Sequence, residues 1–177
     1  MKKKSKPKGV HSCHVETERR FLLEILPDRS KIGRVSEIKQ GYLECGLRLR
    51  KDGHKYFITL KGSGDIRRNE WEKRLKNSEV WVFDDLWAKI VGVPVRKMRY
   101  TKNYRSYKLE FDEFLDQKGF IILECEFKKD ISIKEAGEFK VPKWVGRFVE
   151  VTKKKEYSNH SIALHGFPKD WKNAFDA

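Results

Sequence analysis

Glu16 and Glu18 stand two residues apart in the run CHVETERRFLL (residues 13–23), and Arg20 follows two residues later. On a β-strand such residues project from one face, because side chains alternate with period two. Two carboxylates side by side weaken a sheet unless their face is wet or a cation lies over it. The same arithmetic repeats down the chain. Arg48 and Arg50 share a face opposite Leu47 and Leu49, and Thr59 shares one with Lys61. Glu70 lies with Glu72, and Lys97 with Arg99. Lys108, Glu110 and Asp112 form a row against Leu109 and Phe111, while Glu124 and Glu126 stand against Leu123, Cys125 and Phe127. One reading is an antiparallel sheet with one dry and one solvated face. The other is an inward, ligand-binding face. Carboxylates from several strands make a hard-oxygen site suited to Mg²⁺ or Mn²⁺. Guanidinium and ammonium groups beside them suit phosphate oxygens. A wet tunnel lined by both would hold a metal-bound oligophosphate, with the cation neutralising Glu16 and Glu18.

The elements that must carry these rows are mostly strands. SEIKQGYLECG alternates, and LRLRKDGHKYFITLKG is a hairpin signal around Asp52-Gly53. NEWEKRL, VPVRKMRYTKNY, RSYKLEFDEFL and GFIILECEFKK are further strand runs. SEVWVFDDLWAKIVG carries Val80, Phe83, Leu86, Trp87, Ile90 and Val91 at helical spacing, with Gly92 to stop it. SIKEAGEF reads as a short helix, and PKWVGRFVEVTKKKEYSNHSIALHG as loop and short helical turns. The fold class is mainly β with added helices (α+β). About eight hairpin-connected antiparallel strands are expected, and closure into a barrel removes their edges.

The 177 residues, 38% hydrophobic and 37% charged, fit one soluble domain (residues 11–177) behind a flexible basic tail (residues 1–10). Lys2, Lys3, Lys4, Lys6 and Lys8, with Lys153, Lys154 and Lys155, supply much of the net charge of +14. That excess reads either as a solvated surface or as attraction to polyanions, including a weak RNA contact through the tail. No apolar run reaches the roughly 20 residues that span a bilayer, and the basic start lacks a secretory h-region. Cys13, Cys45 and Cys125, odd in number and without a CxxC pair, fit reduced thiols and a cytoplasmic location.

ETERR resembles the N-terminal ExExK signature of the CYTH superfamily, the triphosphate tunnel metalloenzymes. The likeness continues in order through QGYL, LRLR, YFITLKG, NEWEKRL, KMRY, LEFDEF, ILECEF and EVTKKKEYSN, from about residue 13 to residue 167. It is strongest toward the small bacterial inorganic triphosphatases. The resemblance implies an eight-stranded antiparallel β-tunnel and divalent-metal-dependent hydrolysis of a triphosphate. Glu16, Glu18, Asp112, Glu124 and Glu126 match the family's metal-binding carboxylates, with Glu110 beside them and ranked lower. Arg48, Arg50, Lys61, Lys97 and Arg99 match the basic residues that grip phosphates. Glu70 and Glu72 match the pair that holds a second metal or places the attacking water. Two departures stand out. The family's lysine, thought to act with a tyrosine in activating water, is Arg20 here, while Tyr42 matches the tyrosine. Arginine stays protonated and accepts protons poorly. WVGRFVEVT also runs about two residues longer than in the nearest family pattern.

Three functions follow as alternatives: hydrolysis of inorganic or small organic triphosphate, cyclisation of ATP to cyclic AMP, and non-catalytic binding of nucleotides or 5′-triphosphate RNA. His14 shares the face of Glu16 and Glu18 without matching a required ligand. His11, His54, His160 and His165 show no zinc-like spacing, and the five tryptophans read as packing residues. No P-loop or GxGxxG is present. Cys125, between two acids, is a poor nucleophile.

Overall fold

In the computed structural model the described residues are 11–127 and 131–176; the expected basic tail lies outside them. Eight strands close into an antiparallel barrel: β1 (His11–Leu23), β2 (Arg34–Tyr42), β3 (Arg48–Asp52), β4 (Lys55–Lys61), β5 (Arg67–Arg74), β6 (Val91–Tyr104), β7 (Tyr107–Phe114) and β8 (Ile121–Phe127). The ladder runs β5-β4-β3-β2-β6-β7-β8-β1, and pairing of β1 with β5 closes it. β1 is long enough to serve two neighbours. Its first half, His11–Thr17, pairs with β5, and its second half, Glu18–Leu23, pairs with β8. Asp52 and Lys55 close the β3–β4 hairpin around Gly53, whose φ of 57° is the left-handed value such a turn requires.

The barrel is charged within, and its outer wall carries two apolar clusters. Outward positions of β1, β6, β7 and β8 (Phe21, Leu23, Tyr100, Leu109, Phe111, Leu123, Cys125) form one core cluster, with Ala136 of helix α2 (Ile133–Glu138) packed into it. Leu49 and Ile58, outward on β3 and β4, form another with Leu75 and with Phe83 of helix α1 (Val80–Trp87). At one end the inward face is mainly apolar. There Leu22, Tyr42, Val95, Phe114 and Ile122 meet Ile162 and Ala163 of helix α3 (Asn159–His165), so α3 plugs the barrel. Covering the outer wall with helices is what frees the lumen to be polar. No helix among the described residues is long and apolar enough to cross a membrane.

Two local expectations differ from the structure. The apolar stripe predicts one helix through Val91, but α1 ends at Trp87. Lys89 and Ile90 continue as turns onto the Leu86 and Trp87 carbonyls, and Val91 is captured by the ladder opposite Tyr42. Ile90 still packs against the outer cluster, its side chain 3.0 Å from where a Cβ on Gly41 would stand, which explains the glycine in QGYL. The second difference is a short strand, β9 (Phe148–Glu150), within the presumed loop; it pairs with Phe21–Leu23 of β1. Three residues are too few for alternation to show.

Candidate active site

The period-two rows converge on the lumen. Two adjoining cavities of about 300 and 370 Å³ fill it, and both are lined by Glu18, Arg48, Lys61 and Glu124. The smaller opens beside α3 and adds Arg20, Tyr42, Arg68 and His160. The larger adds Glu16, Arg50, Glu70, Glu72, Arg99, Glu110 and Glu126. Lys97 and Asp112 line neither: they form a fully buried pair, Lys97 Nζ 2.6 Å from Asp112 Oδ2.

Strand register sets carboxylates directly opposite one another: Glu18 faces Glu126 across β1 and β8, and Glu110 faces Glu124 across β7 and β8. Such pairs hold only if cations intervene. Arg99 supplies one, donating through Nε and Nη2 to both oxygens of Asp112 at 2.6 Å, through Nη2 to Glu124 at 2.7 Å, and through Nη1 to Glu110. Lys108 bridges Glu110 and Glu126. Lys61 reaches Glu16 and Glu70, both at 2.8 Å. Glu72 accepts from Arg50 and Thr59 at 2.9 Å and from Arg48 at 3.3 Å. Asn159, at the start of α3, accepts from Lys97 at 2.9 Å and donates to Glu124 at 3.4 Å, which ties the plug to the lumen.

Arg68 is the residue the sequence reading missed. It donates to Glu16 through Nε at 3.0 Å and to Glu18 through Nη2 at 2.5 Å, bridging the two acids from which the argument began. The signal was present, because Arg68 lies two residues before Glu70 on the same face of β5. Asn159 had no such signal, coming from a helix rather than a strand row.

Charge state follows from these contacts. Burial alone would raise the Glu16 carboxyl, but Lys61 and Arg68 outweigh it and hold the pKa at about 2. Glu18 is pushed upward, first by burial and then by the charge of Glu16. Glu124 is driven well below the usual carboxylate range, as Arg99 and Lys97 overcome its burial. Burial lowers the Lys97 ammonium and pushes the Tyr42 phenol up to about 12. The Cys125 thiol is raised mainly by burial in the outer core, with Glu124 a lesser contributor. Arg20 and Tyr42 share no hydrogen bond: the Arg20 Nη2 donates to the Thr152 carbonyl at 3.0 Å, whereas the Tyr42 hydroxyl accepts from Gln40 at 2.8 Å. His14 lies at the larger cavity, 3.9 Å from Glu70.

Three buried donors have no hydrogen-bond acceptor among the described residues: the Nε atoms of Arg20, Arg48 and Arg50, of which Arg20 Nε lies 4.0 Å from Glu18 Oε1, too far for a hydrogen bond. A buried, unmatched N–H is costly, and guanidiniums in that condition around a cavity call for an anion. The described residues include no ready-made cluster of three His, Cys, Asp or Glu around a metal position. Basic side chains separate the acids. The donor chemistry nonetheless fits a hard cation, since Glu16, Glu18, Glu124 and Glu126 all reach the lumen and Glu18 is strained by its acidic neighbours.

Fold and lining together define a class: a closed antiparallel β-tunnel whose lumen is lined by interleaved acidic and basic side chains. The chain is 35% identical over 156 residues to an inorganic triphosphatase of Nitrosomonas europaea, covering 84% of this chain and 97% of that protein. It is 31% identical over 136 residues to an inorganic triphosphatase of Acetivibrio thermocellus, covering 73% and 81%. This chain belongs to the inorganic triphosphatase family, within the CYTH superfamily. Among solved structures, a conserved hypothetical protein of Pyrococcus furiosus shares the fold at a TM-score of 0.54 and 23% identity, over 70% of this chain and 84% of that one. A protein of Pyrococcus horikoshii does so at 0.53 and 19%, with coverage of 70% and 84%. No family model matches the chain.

Proposed function

We propose that the tunnel binds a triphosphate and hydrolyses one phosphoanhydride bond, with inorganic triphosphate going to diphosphate and orthophosphate. The observation that carries this reading is the set of three unmatched guanidinium Nε atoms lining a lumen rich in other cations. The names of the two bacterial relatives support it. Phosphoryl transfer asks for positioning and charge neutralisation more than for covalent chemistry. Arg48, Arg50, Lys61 and Arg99 grip the phosphate chain, and each is already oriented by a carboxylate, so little reorganisation is needed when charge develops. Lys97 and Asp112 act from beneath by fixing Arg99. Tyr42 stays protonated and serves as a donor to a phosphate or water oxygen. Arg20 lines the same cavity, its Nε without a hydrogen-bond acceptor and 4.0 Å from Glu18 Oε1. Glu70 and Glu72 hold Lys61, Arg48 and Arg50 and are placed to orient water.

Glu16, Glu18, Glu124 and Glu126 are the residues that would hold Mg²⁺ or Mn²⁺. When bound, such an ion polarises phosphate oxygens and lowers the pKa of a coordinated water. For it to enter, Arg68 and Lys61 must release the carboxylates onto which they now fold. Small organic triphosphates are the second substrate class. The reduced cysteines and the lysine-rich start fit a cytoplasmic protein with weak affinity for RNA or other polyanions.

Purified protein is to be incubated with triphosphate, ATP and thiamine triphosphate, each with Mg²⁺ or Mn²⁺, and the products resolved. Orthophosphate and diphosphate from triphosphate support hydrolysis. Cyclic AMP from ATP would replace it with cyclisation, and tight binding without turnover would reduce the tunnel to a binding module.

A further inference from the structure

Hydrolysis requires a group that accepts the proton of the attacking water, and the cavity beside α3 has few free acceptors. Arg20 and Arg48 are guanidiniums, with no acceptor atom at all. The Tyr42 hydroxyl already accepts from Gln40, so the proton it carries is offered outward. Glu18 is engaged through Oε1 by Arg68 and paired with Arg20, and Glu124 is engaged by Arg99 and Asn159. Lys61 is bound between Glu16 and Glu70.

His160 differs from all of these. It lies in the first turn of α3, is exposed, and lines the cavity. Its ring meets that of Tyr42 edge-on, with centroids 4.9 Å apart and an interplanar angle of 77°. Among the described residues no hydrogen bond or ion pair engages either ring nitrogen. Its position is nonetheless well determined. Ser158 caps α3 by accepting from the Ser161 N–H at 3.1 Å, and Asn159 is tied to Lys97 and Glu124. A neutral imidazole carries one acceptor nitrogen, and histidine is the side chain suited to proton transfer near neutral pH.

We infer that His160 is the proton acceptor for the attacking water, a further catalytic residue whose role rests on the triphosphatase reading. The water oxygen bonds to the terminal phosphorus as its proton passes to the free imidazole nitrogen. The bond from that phosphorus to the bridging oxygen breaks, and its electron pair leaves with diphosphate. The imidazolium, open to solvent, then releases the proton to bulk water. Tyr42 orients the ring edge and donates to a non-bridging oxygen of the phosphoryl group under attack. Arg20, which cannot take a proton, is left to bind phosphate.

The test compares wild type, His160→Gln and His160→Gly with inorganic triphosphate across pH. In His160→Gln, kcat falls about 100-fold, the scale of lost general-base catalysis, while KM changes by less than about twofold, as expected where phosphate grip is intact. Any limb of the wild-type kcat profile that rises with pH through deprotonation of this side chain is absent from the variant. Free imidazole added to His160→Gly restores turnover in proportion to its unprotonated fraction. An active wild type whose kcat and pH limb survive in His160→Gln overturns the inference alone. Wild-type protein that releases no orthophosphate overturns the triphosphatase reading as well. Because the side chain is exposed, unchanged circular dichroism is expected in both variants.

Discussion

Glu16 is the residue on which burial and pairing compete most openly. Its carboxyl titrates at about 2, below the ordinary value of 4.5, because Lys61 and Arg68 overcome desolvation. A depressed folded-state pKa supplies stability that is complete above the unfolded value and is lost as pH falls through the folded one. Glu18 acts in the opposite sense, since its raised carboxyl makes ionisation costly to the fold. Glu16→Gln is therefore expected to flatten the fall in thermal stability between about pH 5 and about pH 2, measured by melting curves across that range. The same variant is expected to lose more than about 100-fold in turnover, because a formal charge is removed from the lumen. A variant that melts like wild type in acid and keeps its rate would show that Glu16 is ordinary surface.

At the level of elements, two contacts hold the helices in place around the barrel. Arg19, on the outer face of β1, donates to both oxygens of Glu150 on β9, at 2.9 and 2.6 Å. It also donates to the carbonyls of Ala136, Gly137 and Phe139 at the end of α2. Arg19→Ala removes the donor to the Gly137 and Phe139 carbonyls and leaves Ala136 with the Phe139 N–H alone, at an expected cost of about 3 kcal/mol. In a chain of this size that lowers Tm on the order of 10 °C, readable by calorimetry. Gly92, at the start of β6, has φ of 69°, and an added Cβ would stand 2.0 Å from the Ala163 carbonyl oxygen on α3. Gly92→Ala is expected to push α3 outward and loosen Asn159 and His160. Its signature is lowered kcat together with a lower Tm, whereas a purely local turn defect would change Tm alone.

At the scale of the whole molecule, the chain carries a net charge of +14, and guanidinium donors in its lumen lack hydrogen-bond acceptors. Long-range attraction of a polyanionic substrate is screened as the Debye length shrinks from about 10 Å at 0.1 M salt to about 3 Å at 1 M. KM for triphosphate is therefore expected to rise several-fold over that range while kcat changes little, as initial rates in a non-complexing salt would show. A KM indifferent to salt would mean that capture depends on lumen contacts alone.

Alternation made the charged rows legible: wherever charged residues recur at i and i+2, from Glu16 and Glu18 to Glu124 and Glu126, strand geometry requires a common face. The strand count and the need to close the edges were legible for the same reason, and so was the helical start at Val80. What the rows faced was not legible, because period two is the same for a wet outer wall and a wet lumen. Only pairing of β1 with both β5 and β8, and the covering of the outer face by α1 and α2, decided it. The end of α1, the three-residue β9 and the burial of Lys97 with Asp112 also depended on neighbours distant in the chain. His160 is the clearest case. No spacing rule links it to Tyr42, 118 positions earlier, and their meeting comes from α3 folding back to plug the barrel.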